Sequence, residues 1–189
     1  MTTNSTTTTS TITAATPPQT PDLLTSFVRM PSPIGRLQLV SDGHVLTSVS
    51  IEQNGDLPFD GLDERPDELL LGAVDELEAY FSGDPAGFSV PIGPAGTPFQ
   101  QAVWRELAAV PFGTTTSYGN LAMAAGAPLG GRAAGQAVRA NPVAVLIPCH
   151  RVLASGGRLT PYAGVNRSGG NGPATKEWLL AHEGIEYRT

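Results

Sequence analysis

Between residues 25 and 51 the chain alternates hydrophobic and polar residues in the manner of strands that bury one face. Pro and Gly interrupt this alternation at residues 31–35, and Asp-Gly interrupts it at 42–43, as turns between antiparallel strands do. The pattern predicts a small antiparallel meander. Its expected inward side chains are Phe27, Leu37, Leu39, Val45 and Val49.

After residue 65 the hydrophobic period becomes that of a helix. The apolar residues of 66–81 fall on one helical face, and Gly83 provides a stop. The members of this face are Leu70, Ala73, Val74, Leu77 and Phe81. The first half of the chain is therefore predicted to join a sheet to one helix, and it offers no chemistry of its own.

The second half opens with a strong helix-start pattern. Thr97 supplies an N-cap, Pro98 a first-turn proline and Gln100 the partner of a capping box. A helix is therefore predicted to begin here. Its apolar positions are Val103, Trp104, Leu107 and Val110.

Three further helices follow from caps and stops along the rest of the chain. They are predicted over 117–125, over 132–140 and from 173 to 182 or 183. Between the second and the third, the apolar run 143–147 is predicted to be a short strand that leads into Pro148 and Cys149.

These elements predict an α/β fold in one chain. A Thr-rich tail over 1–22 is expected to be disordered, and 23–95 to form a small antiparallel sheet with one helix. Residues 96–189 are expected to form a mainly helical, winged-helix-like domain that contains a helix-turn-helix. The tail lacks the basic start and apolar core of a signal peptide, and no run approaches the roughly 20 apolar residues of a membrane span. No membrane partner is therefore predicted, and the single cysteine, which indicates a reducing compartment, predicts a cytoplasmic protein.

Charge divides unevenly between the halves. Residues 1–96 carry three Arg against 13 Asp and Glu, whereas 97–189 carry eight Arg and Lys against four Glu. An acidic half beside a basic half suits a protein that places one face against an anionic partner. The alternative is chance clustering on solvated faces. The helices predicted over 117–125 and 132–140 leave an alternative to DNA binding as well, because most helix pairs with a Gly-containing turn only pack a core.

Cys149 is the only cysteine, so no disulfide can form within the chain. No Cys/His cluster suggests a structural metal, and no cofactor is predicted. His150 stands beside Cys149 and is a base suited to take its proton. Adjacent side chains of an extended chain point apart, so this transfer needs a bend or a bridging water. Glu183 is the acidic candidate to orient His150, and the alternative is that Cys149 is a small buried hydrophobe.

The segment Ile147-Pro148-Cys149-His150-Arg151-Val152 resembles the active-site signature of the methylated-DNA–protein-cysteine methyltransferases, also called alkylguanine-DNA alkyltransferases. The resemblance is strong over 97–189 and weak over 32–49. Further segments that look like family segments, in the family's order, are 99–104, 111–122, 132–142 and 176–184.

The resemblance implies DNA repair by direct reversal. An alkyl group would leave O6 of guanine, or O4 of thymine as a second substrate, and bond irreversibly to Cys149, once per molecule. The implied partner is double-stranded DNA that contains alkylated guanine, bound by a monomer that flips the base out of the helix.

The resemblance also assigns roles around the thiol. It makes Cys149 the alkyl acceptor, His150 its water-mediated base, Glu183 the orienting carboxylate and Asn141 a hinge before the active-site segment. Tyr118 resembles the tyrosine that presses on the target phosphate and can donate a proton to the leaving guanine.

DNA contacts and a substrate pocket are implied in the same way. Arg132 looks like the finger that fills the gap left by the flipped base, in a surrounding of small residues that lets the helix approach DNA closely. The other DNA-binding residues implied are Ala133, Gly135, Arg139 and Arg151. The residues implied to line the pocket are Val152, Tyr162, Ala163 and Gly164.

One departure from the family pattern lies beside that pocket. Residues 165–172 read as an insertion of about seven residues, and Ala163 stands where a serine is frequent. The Gly, Asn and Ser content of the insertion predicts a mobile segment that DNA binding orders in part, as a lid beside the pocket.

Two other functions are compatible with parts of the sequence. An alkyltransferase-like protein would flip damaged guanine and recruit other repair factors without chemistry, but such proteins lack the acceptor cysteine. A cysteine hydrolase would use Cys149, His150 and Asn141, although hydrolases seldom place Cys and His side by side.

Overall fold

A computed structural model describes residues 25–84, 87–159 and 172–188. The predicted tail 1–22 lies outside the described residues. So do Tyr162, Ala163 and Gly164 of the expected pocket and all but the last residue of the segment 165–172. None of the helices within the described ranges has the length and hydropathy needed to span a membrane.

The first half forms the predicted meander. Strands β1 (Ser26–Met30), β2 (Leu37–Ser41) and β3 (Leu46–Ile51) lie side by side in that order, each antiparallel to the next. One expected inward position is wrong, since Leu46 is fully buried and Val45 is only partly so. The cause is an irregularity in the pairing of β2 with β3 after Val40, which shifts the register.

Helix α1 (Glu68–Phe81) packs on β1 and β2, and the Asp67 side chain caps its first turn. It buries Leu70, Ala73 and Leu77 as predicted. Tyr80 is buried as well, whereas Val74 and Phe81 of the predicted face are only partly covered. The buried stripe therefore ends on a tyrosine that the apolar pattern did not include.

The second half is mainly helical. Helix α2 (Pro98–Ala108) begins with the predicted capping box at Thr97, and α3 (Tyr118–Ala124) begins with the predicted Ser117 cap. Helix α4 (Gly131–Arg139) packs on both, and Trp104 Nε1 of α2 donates a hydrogen bond to the Ala137 carbonyl of α4 at 2.8 Å. Helices α2 and α3 thus cover the buried side of α4 and leave its other side exposed.

The predicted strand over 143–147 is wrong. Val143 makes one bridge to Val49 of β3, and the chain then turns, with Val145 at φ +68. Asn141 is fully buried, and its side-chain amide donates to the carbonyls of Val143 and Ile147 at 3.2 and 2.8 Å. A short apolar run is compatible with either conformation, and here the buried amide stabilises the turn.

Two short elements and a final helix complete the fold. A single 3-10 turn, Cys149–Arg151, leads into β5 (Val152–Leu153), which pairs in parallel with β4 (Thr116–Ser117). Helix α5 (Pro173–His182) ends at the predicted place, with Glu183 as its C-cap and Gly184 at φ +67. The end of α5 lies against the 3-10 turn, so Glu183 reaches the residues around Cys149.

Candidate active site

Cys149 begins the 3-10 turn and is 3% exposed. The turn is closed by a hydrogen bond from the Arg151 amide to the Pro148 carbonyl at 2.9 Å. The chain at Cys149 and His150 is therefore bent, whereas the sequence analysis started from an extended segment. The bend places both side chains in the interior, between the buried turn 143–147 and α5.

His150 is fully buried, and its Nε2 lies 2.7 Å from Oε1 of Glu183. Burial lowers the pKa of His150, and the Glu183 carboxylate opposes that shift only in part. A neutral imidazole beside a carboxylate carries its proton on the nitrogen that faces the carboxylate. Nδ1, which makes no hydrogen bond to any described residue, then holds the basic lone pair.

Glu183 gathers five hydrogen-bond donors around one buried carboxylate. Oε1 accepts from His150, from the Tyr80 hydroxyl at 2.8 Å and from Arg151 Nη2 at 2.8 Å. Oε2 accepts from Arg151 Nε at 2.8 Å and from the Gly113 amide at 3.2 Å. Burial works against the charge, but the bonds from His150 and Arg151 hold the pKa of Glu183 at about 2. The carboxylate is therefore ionised at every physiological pH.

Arg151 requires a correction. The sequence analysis included it among the DNA contacts, but its guanidinium is buried against Glu183, and Nη1 donates to the Val110 carbonyl at 2.5 Å. A guanidinium whose N–H groups donate hydrogen bonds inside the protein is not available to bind phosphates. The burial of Arg151 could not be predicted from its place near Cys149 in the sequence, because its partner Glu183 lies at the end of α5.

Lys176 is a buried residue that the sequence analysis did not single out as functional. It is 1% exposed, and its Nζ donates to the Val152 carbonyl at 2.7 Å. Burial lowers the pKa of this ammonium group to about 8, and the nearby Cys149 opposes the shift. One signal was present in the sequence: Lys176 is the only lysine and lies two helical turns before Glu183, on the same side of the last helix.

The side chain of Asn141 hydrogen-bonds to the backbone of the turn 143–147 and not to His150. Its Oδ1 accepts from the Val143 amide at 3.0 Å, and its Nδ2 binds the carbonyls already named. The side chain that orients His150 is Glu183. A hydrolase triad of Cys149, His150 and Asn141 therefore has no support in the geometry.

The exposed face of α4 carries most of the residues expected to contact DNA. Arg132, Ala133 and Arg139 are exposed, and Gly135 is partly buried beside Tyr118. A Cβ atom at Gly135 would lie 3.6 Å from the Tyr118 ring, an ordinary van der Waals distance, so this part of α4 packs directly beside that ring. The structure thus brings Tyr118 and α4 together, separately from the group around Glu183.

Two further expectations concern a metal site and the substrate pocket. Within the described ranges, no group of three His, Cys, Asp or Glu side chains lies close enough to hold a metal ion. Of the expected pocket, Val152 is described and is fully buried in β5.

Comparison with known families matches both halves of the chain. Residues 28–94 match the ribonuclease-like domain of 6-O-methylguanine DNA methyltransferase, and residues 98–185 match the DNA-binding domain of the same family.

Similar proteins and structures agree with these matches. A Mycobacterium tuberculosis methylated-DNA–protein-cysteine methyltransferase is 44% identical over 137 residues, which are 72% of this chain and 83% of the relative. A crystal structure of the M. tuberculosis O6-methylguanine methyltransferase is 39% identical with a TM-score of 0.71, over 84% of this chain and 92% of that one. A crystal structure of the M. tuberculosis protein in complex with DNA is 41% identical with a TM-score of 0.69, over the same shares.

Proposed function

The chain belongs to the methylated-DNA–protein-cysteine methyltransferase family, and we propose that Cys149 is the residue on which it receives an alkyl group from O6 of guanine in damaged DNA. The observation that carries this proposal is the His150–Glu183 pair. It leaves Nδ1 of a neutral imidazole as the base in the residue next to the thiol. That arrangement suits a cysteine that must lose its proton in order to react.

The transfer begins with the thiol proton. It passes from Cys149 to Nδ1 of His150 through a bridging water, while Glu183 holds the opposite nitrogen and stabilises the imidazolium that forms. Because Arg151 fixes both oxygens of Glu183, the carboxylate keeps its charge and its orientation during this step. The product of the step is a thiolate in a buried, bent segment.

The bond changes then balance within one displacement. The thiolate sulfur forms a bond to the alkyl carbon as the carbon–O6 bond breaks, and the electron pair of that bond stays with guanine. A proton, supplied through Tyr118 in our proposal, neutralises the guanine as it leaves. The thioether on Cys149 has no easy leaving group, so each molecule acts once and needs no cofactor.

We assign the binding of DNA to the exposed face of α4 and to Tyr118 beside it. A thiolate cannot reach a base inside the stack, so the alkylated guanine must be flipped out of the duplex. We assign the filling of the resulting gap to Arg132, which is exposed near the N-terminus of α4. Ala133 and Gly135 allow close approach of the helix, Arg139 contacts phosphate, and Tyr118 presses on the target nucleotide.

Two expectations complete the proposal. We place the protein in the cytoplasm, where reducing conditions keep the single thiol of Cys149 reduced until it reacts. We also expect it to act as a monomer, since one chain supplies the acceptor, the base and α4.

Mass spectrometry after incubation with DNA that contains O6-methylguanine tests this function directly. We expect one methyl group per molecule, on the peptide that contains Cys149, and no further product when DNA is in excess. Cys149→Ser is the matched control and should gain no mass while still binding DNA. An unchanged wild-type mass would contradict alkyl transfer, and repeated turnover would indicate a hydrolase.

A further inference from the structure

Tyr80 belongs to α1 in the first half of the chain, but its hydroxyl ends in the site of the second half. It donates to Oε1 of Glu183 at 2.8 Å, the same atom that receives the Nε2 hydrogen of His150. The tyrosine is 4% exposed, and its ring packs edge-on against Phe112. A single oxygen atom therefore separates Tyr80 from the proposed base.

This contact is held from both sides. His182, the last residue of α5, donates through Nε2 to the Tyr80 carbonyl at 2.8 Å, and its ring packs edge-on against the Tyr80 ring. Trp178 stacks on the ring of His182, with ring centroids 4.9 Å apart. The end of α1 and the end of α5 are thus joined by two hydrogen bonds and a cluster of aromatic rings. These contacts restrict the Tyr80 side chain, so its hydroxyl stays directed at Glu183.

We propose that Tyr80 is a positioning residue for alkyl transfer, whose hydroxyl withdraws negative charge from Oε1 of Glu183 and thereby limits how strongly His150 holds a proton. This inference deepens the proposed function, on which it rests. It gives the first half of the chain a part in the chemistry as well as in the fold.

The charges around Glu183 explain why the phenol matters. The 3-10 turn contributes His150, Arg151 and Cys149, and α5 contributes Lys176 and His182. Arg151 neutralises the carboxylate through both of its oxygens, and these contacts are made without Tyr80. Burial and the charge of Glu183 raise the pKa of Tyr80, so the phenol remains a donor over the whole working range of pH.

Removing the hydroxyl has a defined sign. Without that donor, Oε1 keeps more negative charge toward Nε2 and stabilises the imidazolium, so the pKa of His150 rises. An imidazole that is already protonated cannot accept the thiol proton. The acidic limb of the pH–rate profile of Cys149 should therefore move to higher pH.

The test compares Tyr80→Phe with the wild type in two reactions of Cys149 across acidic and neutral pH. One is modification by a small aromatic disulfide, which reports thiol activation, and the other is single-turnover labelling by free O6-benzylguanine. We expect the acidic limb of both profiles to move to higher pH by about half a unit or more, which corresponds to about 0.7 kcal/mol. Tyr187→Phe is the matched control, and its profile should coincide with that of the wild type.

A second variant makes the sign itself testable. Site-specific replacement of Tyr80 by 3-fluorotyrosine keeps the ring and gives a more acidic phenol, which is a stronger donor, so the limb should move to lower pH. Coinciding wild-type and Tyr80→Phe profiles, or shifts of one sign in both variants, would overturn the inference. If the wild type reacts with the disulfide but gains no methyl group from DNA that contains O6-methylguanine, the proposed function fails, and the disulfide profiles still decide the role of Tyr80.

Discussion

At the scale of the residue, Glu183 determines both the electrostatics of the site and part of its stability. It is almost fully buried and forms the counter-ion of Arg151. Its pKa falls from 4.5 to about 2 on folding, so the folded state binds fewer protons than the unfolded state between those values. The stability that Glu183 contributes is complete above pH 4.5 and is lost as the pH falls toward 2.

Glu183→Gln should therefore lower the free energy of unfolding by roughly 3 kcal/mol at neutral pH, because it leaves the Arg151 guanidinium buried without its counter-ion. The difference from the wild type should shrink as the pH falls below 4.5, where Glu183 begins to bind a proton in the unfolded state. Urea unfolding across this range measures both quantities. Glu177→Gln, on the exposed side of α5, should leave stability unchanged. A constant difference at all pH values would contradict this account of Glu183.

At the scale of the element, the turn 143–147 connects the sheet to the active-site segment. The Ala144 amide donates to the Val49 carbonyl at 3.0 Å on one side, and on the other Asn141 binds Ile147, two residues before Cys149. The turn is buried along its whole length, so its backbone groups depend on these partners. The position of Cys149 therefore depends on a polar side chain in an apolar surrounding.

Asn141→Ala should destabilise the protein by roughly 3 kcal/mol, since it leaves the Val143 amide and the Val143 and Ile147 carbonyls without their partner. The rate of Cys149 labelling by a free guanine analogue should fall as well, because the segment before the thiol loses its support. Thermal melting and single-turnover labelling measure the two effects. Asn120→Ala, at an exposed position of α3, is the control for both. Unchanged stability in Asn141→Ala would show that the turn does not need the amide.

In the molecule as a whole, our proposal for the reaction on duplex DNA uses both the buried site around the thiol and the exposed face of α4. The thiol lies inside the protein with His150 and Glu183, whereas Arg132 is exposed on α4. The second half of the chain also holds the excess of positive charge, while the first half is acidic. We therefore expect that mutations can separate binding of DNA from transfer of the alkyl group.

Arg132→Ala should slow repair of O6-methylguanine in duplex DNA by about tenfold or more, because a flipped base then leaves an unfilled gap that costs a few kcal/mol. The rate with a free guanine analogue should stay near that of the wild type, since no gap forms. Single-turnover labelling of Cys149 with both substrates measures this ratio. Arg105→Ala removes a charge from the same half at an exposed position of α2 and should not change the ratio. Equal losses on both substrates would contradict the role of Arg132.

Elements whose signals are local could be predicted from the order of the amino acids. The capping box at Thr97, the Ser117 cap and the Gly184 stop each act within one turn of a helix, so their effect can be predicted without knowing what the helix packs against. The meander and the interval of the last helix were predicted for the same reason. The signature around Cys149 also indicated the family, which the comparisons confirm.

Which side chains contact one another across elements could be read from the folded chain alone. Whether Leu46 or Val45 is buried depends on the irregular pairing of β3 with β2. The turn at 143–147 depends on the buried side-chain amide of Asn141. Tyr80 and Arg151 reach Glu183 from elements that are far apart in sequence. Contacts of this kind arise from packing between elements, and periodicity or spacing within one element carries no information about them. The sequence therefore indicated the candidate nucleophile, while the fold assembled the hydrogen-bond network around Glu183 beside it.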